Sequence, residues 1–182
     1  LMEEAGYGDG FDAAPDPQDS RYGYSLSQGG NLLRWDLETG AMQSAKPYLA
    51  DGRDLRFNWN AAFAQDPFAP CTIYYGSQYL HKSTDRGLSW TTISEDLTTN
   101  NPDWQDFRTS GGITLDVTAA ENYTTIIAVA PSPLERGVLW VGTDDGRVHV
   151  TRDGGASWTS VEERVPGVPD NTWVPMIYPS PH

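Results

Sequence analysis

The sequence predicts an all-β protein built from repeated sheets of four antiparallel strands. Three observations lead to this prediction: turn-forming residues are spread along the whole chain, apolar residues show no helical period, and one module recurs. The 182 residues include 18 glycines and 13 prolines, and aromatic residues make up 12% of the chain. This composition is typical of many short strands joined by frequent turns.

The recurring module is anchored on three prolines, Pro17, Pro67 and Pro133. An aromatic residue follows each anchor by seven positions, and a polar residue in a turn-forming stretch follows it by 11. An aspartate in a second turn comes 18 to 20 positions after the anchor. In chain order these residues are Tyr24, Tyr74 and Trp140, then Gln28, Gln78 and Asp144, then Asp36, Asp85 and Asp153. A repeat with such regular offsets indicates one structural unit used several times.

Each unit reads as four strands separated by turns, and the third unit contains the strand-like segments TTIIAVA, VLWVG, RVHVT and SWTSV. Four antiparallel strands in roughly 45 residues is the size of a β-propeller blade. We therefore expect residues 1–182 to form one partial propeller domain. Its expected parts are blades at about 9–50, 54–98 and 123–166, an insertion at 98–122, and the start of a fourth blade at 171–182.

Three blades and one further strand are too few to close a propeller ring, which needs about four blades or more. The expectation is therefore an incomplete ring with open blade edges. Exposed edges invite pairing with other strands, so we expect the remainder of a longer propeller, or other protein chains, to cover them.

Two units share the octapeptide pattern S/T-x-D-x-G-x-S-W, in which every fixed position has a physical role. An Asp side chain can accept hydrogen bonds from N–H groups inside its own turn. Glycine permits positive φ, and the Trp is expected to fold back as a large apolar plug with an N–H to spare. The pattern predicts a structural role for its residues, which are Ser83, Asp85, Gly87 and Trp90 in the second unit and Thr151, Asp153, Gly155 and Trp158 in the third.

This octapeptide resembles the Asp-box of the bacterial-neuraminidase-repeat (BNR) family, whose members fold as β-propellers. The phrases RFNWN, YYGSQYLHKSTDRG and WVGTDDGRVHVTRDGG are similar to secreted bacterial propellers described as glycosyl hydrolases, and the box also occurs in sortilin-like receptors. The resemblance implies an extracytoplasmic location, although no leader is visible in residues 1–4. It does not identify an activity, because the box occurs on enzymes and on non-enzymes.

If the Asp-boxes lie at one end of the blades, the second turns and the starts of the inner strands lie at the other. We call that end the rim. Amide, carboxylate and aromatic side chains on a concave rim suit a glycan or a peptide. The predicted ligand-binding residues there are Gln28, Arg56, Asn58, Asn60, Gln78, Trp104, Tyr123, Asp144, Asp145 and Trp173.

No complete catalytic set is visible, so the catalytic residues are left unassigned. Glycoside hydrolysis needs two carboxyl groups facing each other across the bond, and Asp144 and Asp145 are merely adjacent in sequence. The sequence predicts no metal site and no cofactor. His81 and His149 occupy the same position four residues before their box aspartates, which favours a packing role, and the single cysteine, Cys71, excludes an internal disulfide framework.

Twenty-five acidic residues against 12 basic ones give a net charge of −13. Such a surface repels phosphate backbones, so nucleic acid is excluded as a partner, and no apolar stretch is long enough for a membrane span. The leading hypothesis is a binding or interaction scaffold for protein, peptide or glycan. The alternatives are a fragment of a polysaccharide-directed glycoside hydrolase whose site is completed by further blades, and an accessory subunit of a larger assembly.

Overall fold

The computed structural model describes residues 6–106 and 122–181, and the described residues form three sheets of four antiparallel strands. The first sheet consists of β1 (Gly10–Pro15), β2 (Tyr22–Ser27), β3 (Asn31–Asp36) and β4 (Ala41–Ser44). The second consists of β5 (Phe63–Gln65), β6 (Ile73–Gly76), β7 (Leu80–Ser83) and β8 (Thr91–Thr92). The third consists of β9 (Ile126–Pro131), β10 (Leu139–Thr143), β11 (Val148–Thr151) and β12 (Thr159–Ser160).

Strands that are adjacent in sequence pair within each sheet, as in a meander. The all-β prediction, with blades of four antiparallel strands, is confirmed. Helical structure among the described residues is limited to α1 (Pro102–Gln105) and a 3-10 turn at Glu162–Arg164. The predicted insertion at 98–122 contains α1, and its residues 107–121 lie outside the described ranges.

The core lies between successive blades rather than inside any one of them. One cluster joins the first two blades through side chains that include Tyr24 and Leu32 on one side and Phe57 and Tyr75 on the other. A second cluster joins the second blade to the third. It contains Tyr74 and Leu80 of the second blade together with Ile126, Leu139 and Val141 of the third. A four-stranded sheet has two faces, so each blade can bury apolar side chains on both sides only by packing against neighbours.

Both Asp-boxes form the same hydrogen-bonded corner after the third strand of their blade. In the third blade Thr151 Oγ1 donates to Asp153 at 2.7 Å, and the Ser157 N–H and hydroxyl donate to the same carboxylate at 2.9 and 2.6 Å. In the second blade Asp85 accepts the equivalent bonds at 2.7, 2.9 and 2.5 Å. Hydrogen bonds from the serine that follows lower the pKa of each box carboxyl to about 2.

The Trp of each box reaches the preceding blade, where its N–H finds a partner. Trp90 Nε1 donates to Ala45 O in the first blade, and Trp158 Nε1 donates to Ile93 O in the second, both at 2.9 Å. The receiving carbonyl lies one residue beyond the fourth strand in both cases. The indole hydrogen bond joins neighbouring sheets.

The box glycine is required by the same contact. Gly155 has φ +101°, and a Cβ placed there would lie 2.7 Å from Ile93 O. Gly87 has φ +87°, and its Cβ would lie 2.8 Å from the Ala45 Cβ. The Asp-box is therefore both a local turn and the surface that packs against the preceding blade.

The first blade has the turn but lacks the Trp. Its Asp36 accepts two hydrogen bonds from the Arg21 guanidinium, at 2.7 and 2.6 Å, and a third from the Glu38 N–H at 3.0 Å. The bond to Arg21 holds the pKa of Asp36 well below its usual range. An ion pair therefore stabilises the corner where the other two blades use serine or threonine hydroxyls.

Replacing Trp158 by Phe should lower the free energy of unfolding by about 1–2 kcal/mol, because the ring is retained while the bond to the Ile93 carbonyl is lost. Chemical denaturation followed by circular dichroism measures this change. Trp59→Phe is the matched control, since Trp59 packs edge-on against Phe11 and lies outside both Asp-boxes. Equal losses in the two variants would contradict the role given to the indole N–H.

Gly154 and Gly155 provide a matched pair for the close contact between blades. Both have positive φ, but a Cβ at Gly154 meets no atom within 4 Å. Gly154→Ala should therefore cost about 1 kcal/mol from backbone strain alone, whereas Gly155→Ala should cost roughly 1–3 kcal/mol more because the methyl group would strike the preceding blade. Denaturation midpoints that coincide for the two variants would exclude this contact.

Candidate functional site

The rim is the end of the blades that carries the β2–β3, β6–β7 and β10–β11 turns, and the Asp-boxes lie at the opposite end of β7 and β11. The three polar residues at the repeated rim position all accept a backbone N–H from the segment leading to their own blade's first strand. Gln28 accepts from Asp9, Gln78 from Arg56 and Asp144 from Thr125, each at 2.8 Å. Gln78 and Asp144 are buried and Gln28 is partly exposed. At this repeated position, each side chain therefore holds the segment that leads into its blade through a hydrogen bond to the backbone.

Asp144 is the most deeply buried carboxyl of the rim, with 0% of its surface exposed. It accepts hydrogen bonds from the Thr125 N–H at 2.8 Å, from the Thr125 hydroxyl at 2.6 Å and from the Asn58 amide at 3.0 Å. Burial raises its pKa to about 6, because the effect of burial is larger than the lowering by these hydrogen bonds. Asp144 therefore binds the second blade to the third and is closed to a ligand.

Asp145 turns away from its neighbour and bonds a different part of the chain. Its carboxylate accepts from the Thr99 N–H and hydroxyl at 2.8 and 2.7 Å and from the Thr143 hydroxyl at 2.5 Å. The two adjacent carboxylates thus have separate partners and do not face each other across a cleft. This arrangement differs from the paired carboxyl groups of a glycosidase site.

Arg56, Asn58 and Asn60 lie on the segment before β5, at the junction between the second and third blades. Arg56 forms an ion pair with Asp96 at 2.9 Å, and both side chains are largely buried. Asn58 is buried against Asp144, whereas Asn60 is exposed and donates its N–H to Asn58 Oδ1 at 3.2 Å. Of these three predicted site residues, only Asn60 is freely accessible.

Three aromatic residues that sequence reasoning assigned to the site converge at the rim. The ring of Tyr123 contacts those of Trp104 and Trp173, with a centroid distance of 6.3 Å to each. The Tyr123 hydroxyl is within hydrogen-bond distance of two acceptors, Asn171 Oδ1 at 2.5 Å and Asp144 O at 3.1 Å. Tyr123 is buried, Trp104 is partly exposed and Trp173 is 51% exposed. We call these three residues the rim aromatic group.

A cavity of about 600 Å³ opens beside Trp104 and the β10–β11 turn, and we call it the rim cavity. Its polar lining includes groups that sequence reasoning did not select, because the segment 162–171 reaches the rim only through tertiary folding. Among the lining residues are Thr99, Trp104, Asp145, Arg147, Glu162 and Asn171. Arg147 pairs with Glu162 at 2.7 Å, so a polar but internally paired wall faces an aromatic side chain.

A second cavity, of about 620 Å³, lies between the outer strands of the second and third blades beside the Asp-box. Its lining includes His149, whose Nε2 lies 2.8 Å from Leu97 O. The corresponding His81 is buried between Ser77 and Thr92, and burial lowers its pKa to about 4. Across residues 6–106 and 122–181, no three His, Cys, Asp or Glu side chains are grouped so that they could hold a metal ion.

Within the described ranges, no helix is both long and apolar enough to cross a membrane. No family model matches the sequence. A protein of Neosartorya fischeri that bears the name oligoxyloglucan-reducing end-specific xyloglucanase is 30% identical to this chain over 139 residues. That match covers 74% of this chain, and this chain spans 14% of the fungal protein's length.

Two solved structures resemble the chain in fold. The extracellular domain of a B. thetaiotaomicron protein superimposes with a TM-score of 0.57 at 14% identity, covering 93% of this chain and 18% of that one. YCF48 bound to D1 peptide gives a TM-score of 0.50 at 17% identity, covering 84% of this chain and 39% of that one. With the three antiparallel sheets, they define this chain as a set of β-propeller blades. At such identities the likeness carries the fold alone.

Replacing Asp144 by Asn should alter the pH dependence of stability between pH 4 and 6. The folded pKa of about 6 lies above the unfolded value of 3.8. Ionisation therefore costs more in the folded state, and the free energy of unfolding falls as pH rises through this range. The stability advantage of the natural chain over Asp144→Asn should be largest near pH 4 and smallest above pH 7.

Denaturation of both chains at a series of pH values tests this prediction. Buried His81, whose pKa is lowered to about 4, contributes the opposite trend, but it is present in both chains and cancels from the difference. A difference that stays constant or grows between pH 4 and 7 would contradict the burial of an ionisable Asp144.

Proposed function

We propose that this chain is part of an extracytoplasmic β-propeller that serves as a binding scaffold, and that the rim cavity holds a saccharide. The observation that carries the proposal is Trp104 of the rim aromatic group, which lines a cavity of about 600 Å³. A flat aromatic face next to polar groups is the combination that sugar recognition uses, since one side of a sugar ring is apolar and its edge bears hydroxyls.

The state of the polar lining supports binding more than catalysis. Asp145 is held by Thr99 and Thr143, and Glu162 is held by Arg147 and by the Ser160 hydroxyl at 2.5 Å. Side chains fixed in this way form a preorganised wall, which reduces the entropy lost on binding. They are also already engaged, which disfavours them as acid or base.

A saccharide is preferred over other ligands for two reasons. The net charge of −13 disfavours nucleic acid and other polyanions. The fungal relative at 30% identity bears the name of a xyloglucanase, which makes a β-glucan-based oligosaccharide the first ligand to test. A peptide is the other ligand class that such a rim suits.

A fragment of a polysaccharide-directed glycoside hydrolase is the second candidate function, and the name of the fungal relative favours it. In this case the carboxyl groups of the reaction would face each other only after further blades are added, because Asp144 and Asp145 have separate partners within the described residues. The family resemblance of the Asp-boxes supports an extracytoplasmic location under both candidates.

Trp104→Ala should weaken binding of a xyloglucan oligosaccharide about fivefold, because an aromatic contact of this kind is worth roughly 1 kcal/mol. Calorimetric titration of the 182-residue chain gives the affinity. Trp59→Ala is the matched control, since Trp59 packs on Phe11 away from the rim cavity. Equal affinity in the Trp104→Ala variant would remove the rim cavity from the proposal.

The same oligosaccharide separates the scaffold from the hydrolase. Prolonged incubation with the whole natural protein that contains this chain, followed by an assay for new reducing ends, should give none if the protein is a scaffold. Release of reducing ends that disappears on replacing one rim carboxylate would instead favour the hydrolase.

A further inference from the structure

In the first two blades, a backbone carbonyl just beyond the fourth strand accepts the N–H of the next blade's box Trp, and we call the residue that carries it the Trp receptor. The third blade has the same backbone arrangement at this position. The residue one position beyond the fourth strand donates its N–H to the first or second residue of the third strand. Ala45 donates to Leu32 O at 2.8 Å and Ile93 donates to Leu80 O at 2.9 Å, and each then accepts an indole N–H on its own carbonyl. In the third blade, Val161 donates to Val148 O at 2.8 Å, so Val161 is the third receptor.

The third receptor lies on a sheet face that its counterparts bury. Tyr24 and Leu32 of the first blade, and Tyr74 and Leu80 of the second, are at most 2% exposed beneath the following blade. The equivalent side chains of the third blade are partly exposed. We call this set the third-blade face, and its members are Trp140, Val148 and Val161.

The chain itself begins to cover this face in the same manner as between the earlier blades. Ile126, the first residue of β9, donates its N–H to Ser77 O at 2.7 Å, and Val174 donates in the same way to Thr143 O at 3.0 Å. Ile126 packs over Gly76 and Val174 over Gly142, so closely that a Cβ on either glycine would lie 2.7 Å from the side chain above it. The segment from Val174 onward therefore has the register of an inner strand on the third-blade face.

We propose that the third-blade face is the docking surface for one further Asp-box blade. In this arrangement the Trp of the docked box donates its N–H to Val161 O, and the glycine of the box packs against Val161. The Val161 carbonyl already accepts the Arg164 N–H at 2.9 Å, and its second lone pair can accept the indole.

A second copy of the described chain does not supply the occupant. Both of its box tryptophans, Trp90 and Trp158, are bonded within the chain, and the first blade has Ala41 where the Trp would stand. The occupant must therefore bring its own S/T-x-D-x-G-x-S-W hairpin. Continuity with Val174 indicates a blade whose inner strand is the segment 174–181.

The repeat itself supplies the probe for this proposal. Since Val174 has the register of Ile126, position 182 has the register of Leu134, and a copy of residues 135–161 appended after His182 would complete a blade. The extended chain is compared with the same extension carrying Trp→Ala at the appended copy of Trp158. Val161→Asp in the receptor of both chains closes a double-mutant cycle.

The extended chain should unfold at a higher urea midpoint than its Trp→Ala counterpart, and Val161→Asp should abolish most of that difference. Equal midpoints with and without the appended Trp, or a difference that Val161→Asp leaves intact, would overturn the proposal. An extended chain that aggregates where the 182-residue chain does not would also overturn it, because covering the third-blade face should raise solubility.

The proposal does not depend on what the rim cavity binds. Titration of the extended chain with the xyloglucan oligosaccharide reports on the rim, and the urea midpoints report on the third-blade face. Failure of one result therefore leaves the other interpretable.

Discussion

The contact between the Asp-box and the preceding blade is the constraint on which the architecture depends. A four-stranded sheet has two faces, and in the second blade both bury apolar side chains against neighbouring sheets. The indole N–H and the box glycine determine how closely and in what register the sheets meet, since Trp90 and Trp158 each bond a carbonyl at 2.9 Å. The same residues therefore form the local turn and pack one blade against the next.

The side chains at the repeated rim position also have a structural role. Gln28, Gln78 and Asp144 stand at one position of the repeat, and each holds the segment that leads into its blade. Because the side chains in this position serve the backbone, two of the three are buried and closed to a ligand. Chemistry at the rim depends instead on residues outside the repeat, chiefly the rim aromatic group.

This division separates the residues that hold the blades together from those that are accessible to a ligand. The repeated positions stabilise the blades in any protein of this architecture, whereas the loops between them carry the ligand contacts. In this chain Trp104 lies on the connection between the second and third blades, and Asn171 lies between the third blade and the segment that begins at Val174. Both lie next to the rim cavity, and neither belongs to the repeated pattern.

Sequence alone determined the fold class and the two boxes, because these depend on short-range offsets between turn residues, aromatic residues and glycines. The blade geometry that the repeat implies also predicted that Trp104, Tyr123 and Trp173 lie at the rim. Tertiary structure decided the accessibility of each group, since burial depends on contacts across blades: Asp144 is enclosed by Thr125 and Asn58. It also decided the partner of each box Trp, because a bond from Trp158 to Ile93 spans 65 residues and leaves no pattern within either segment.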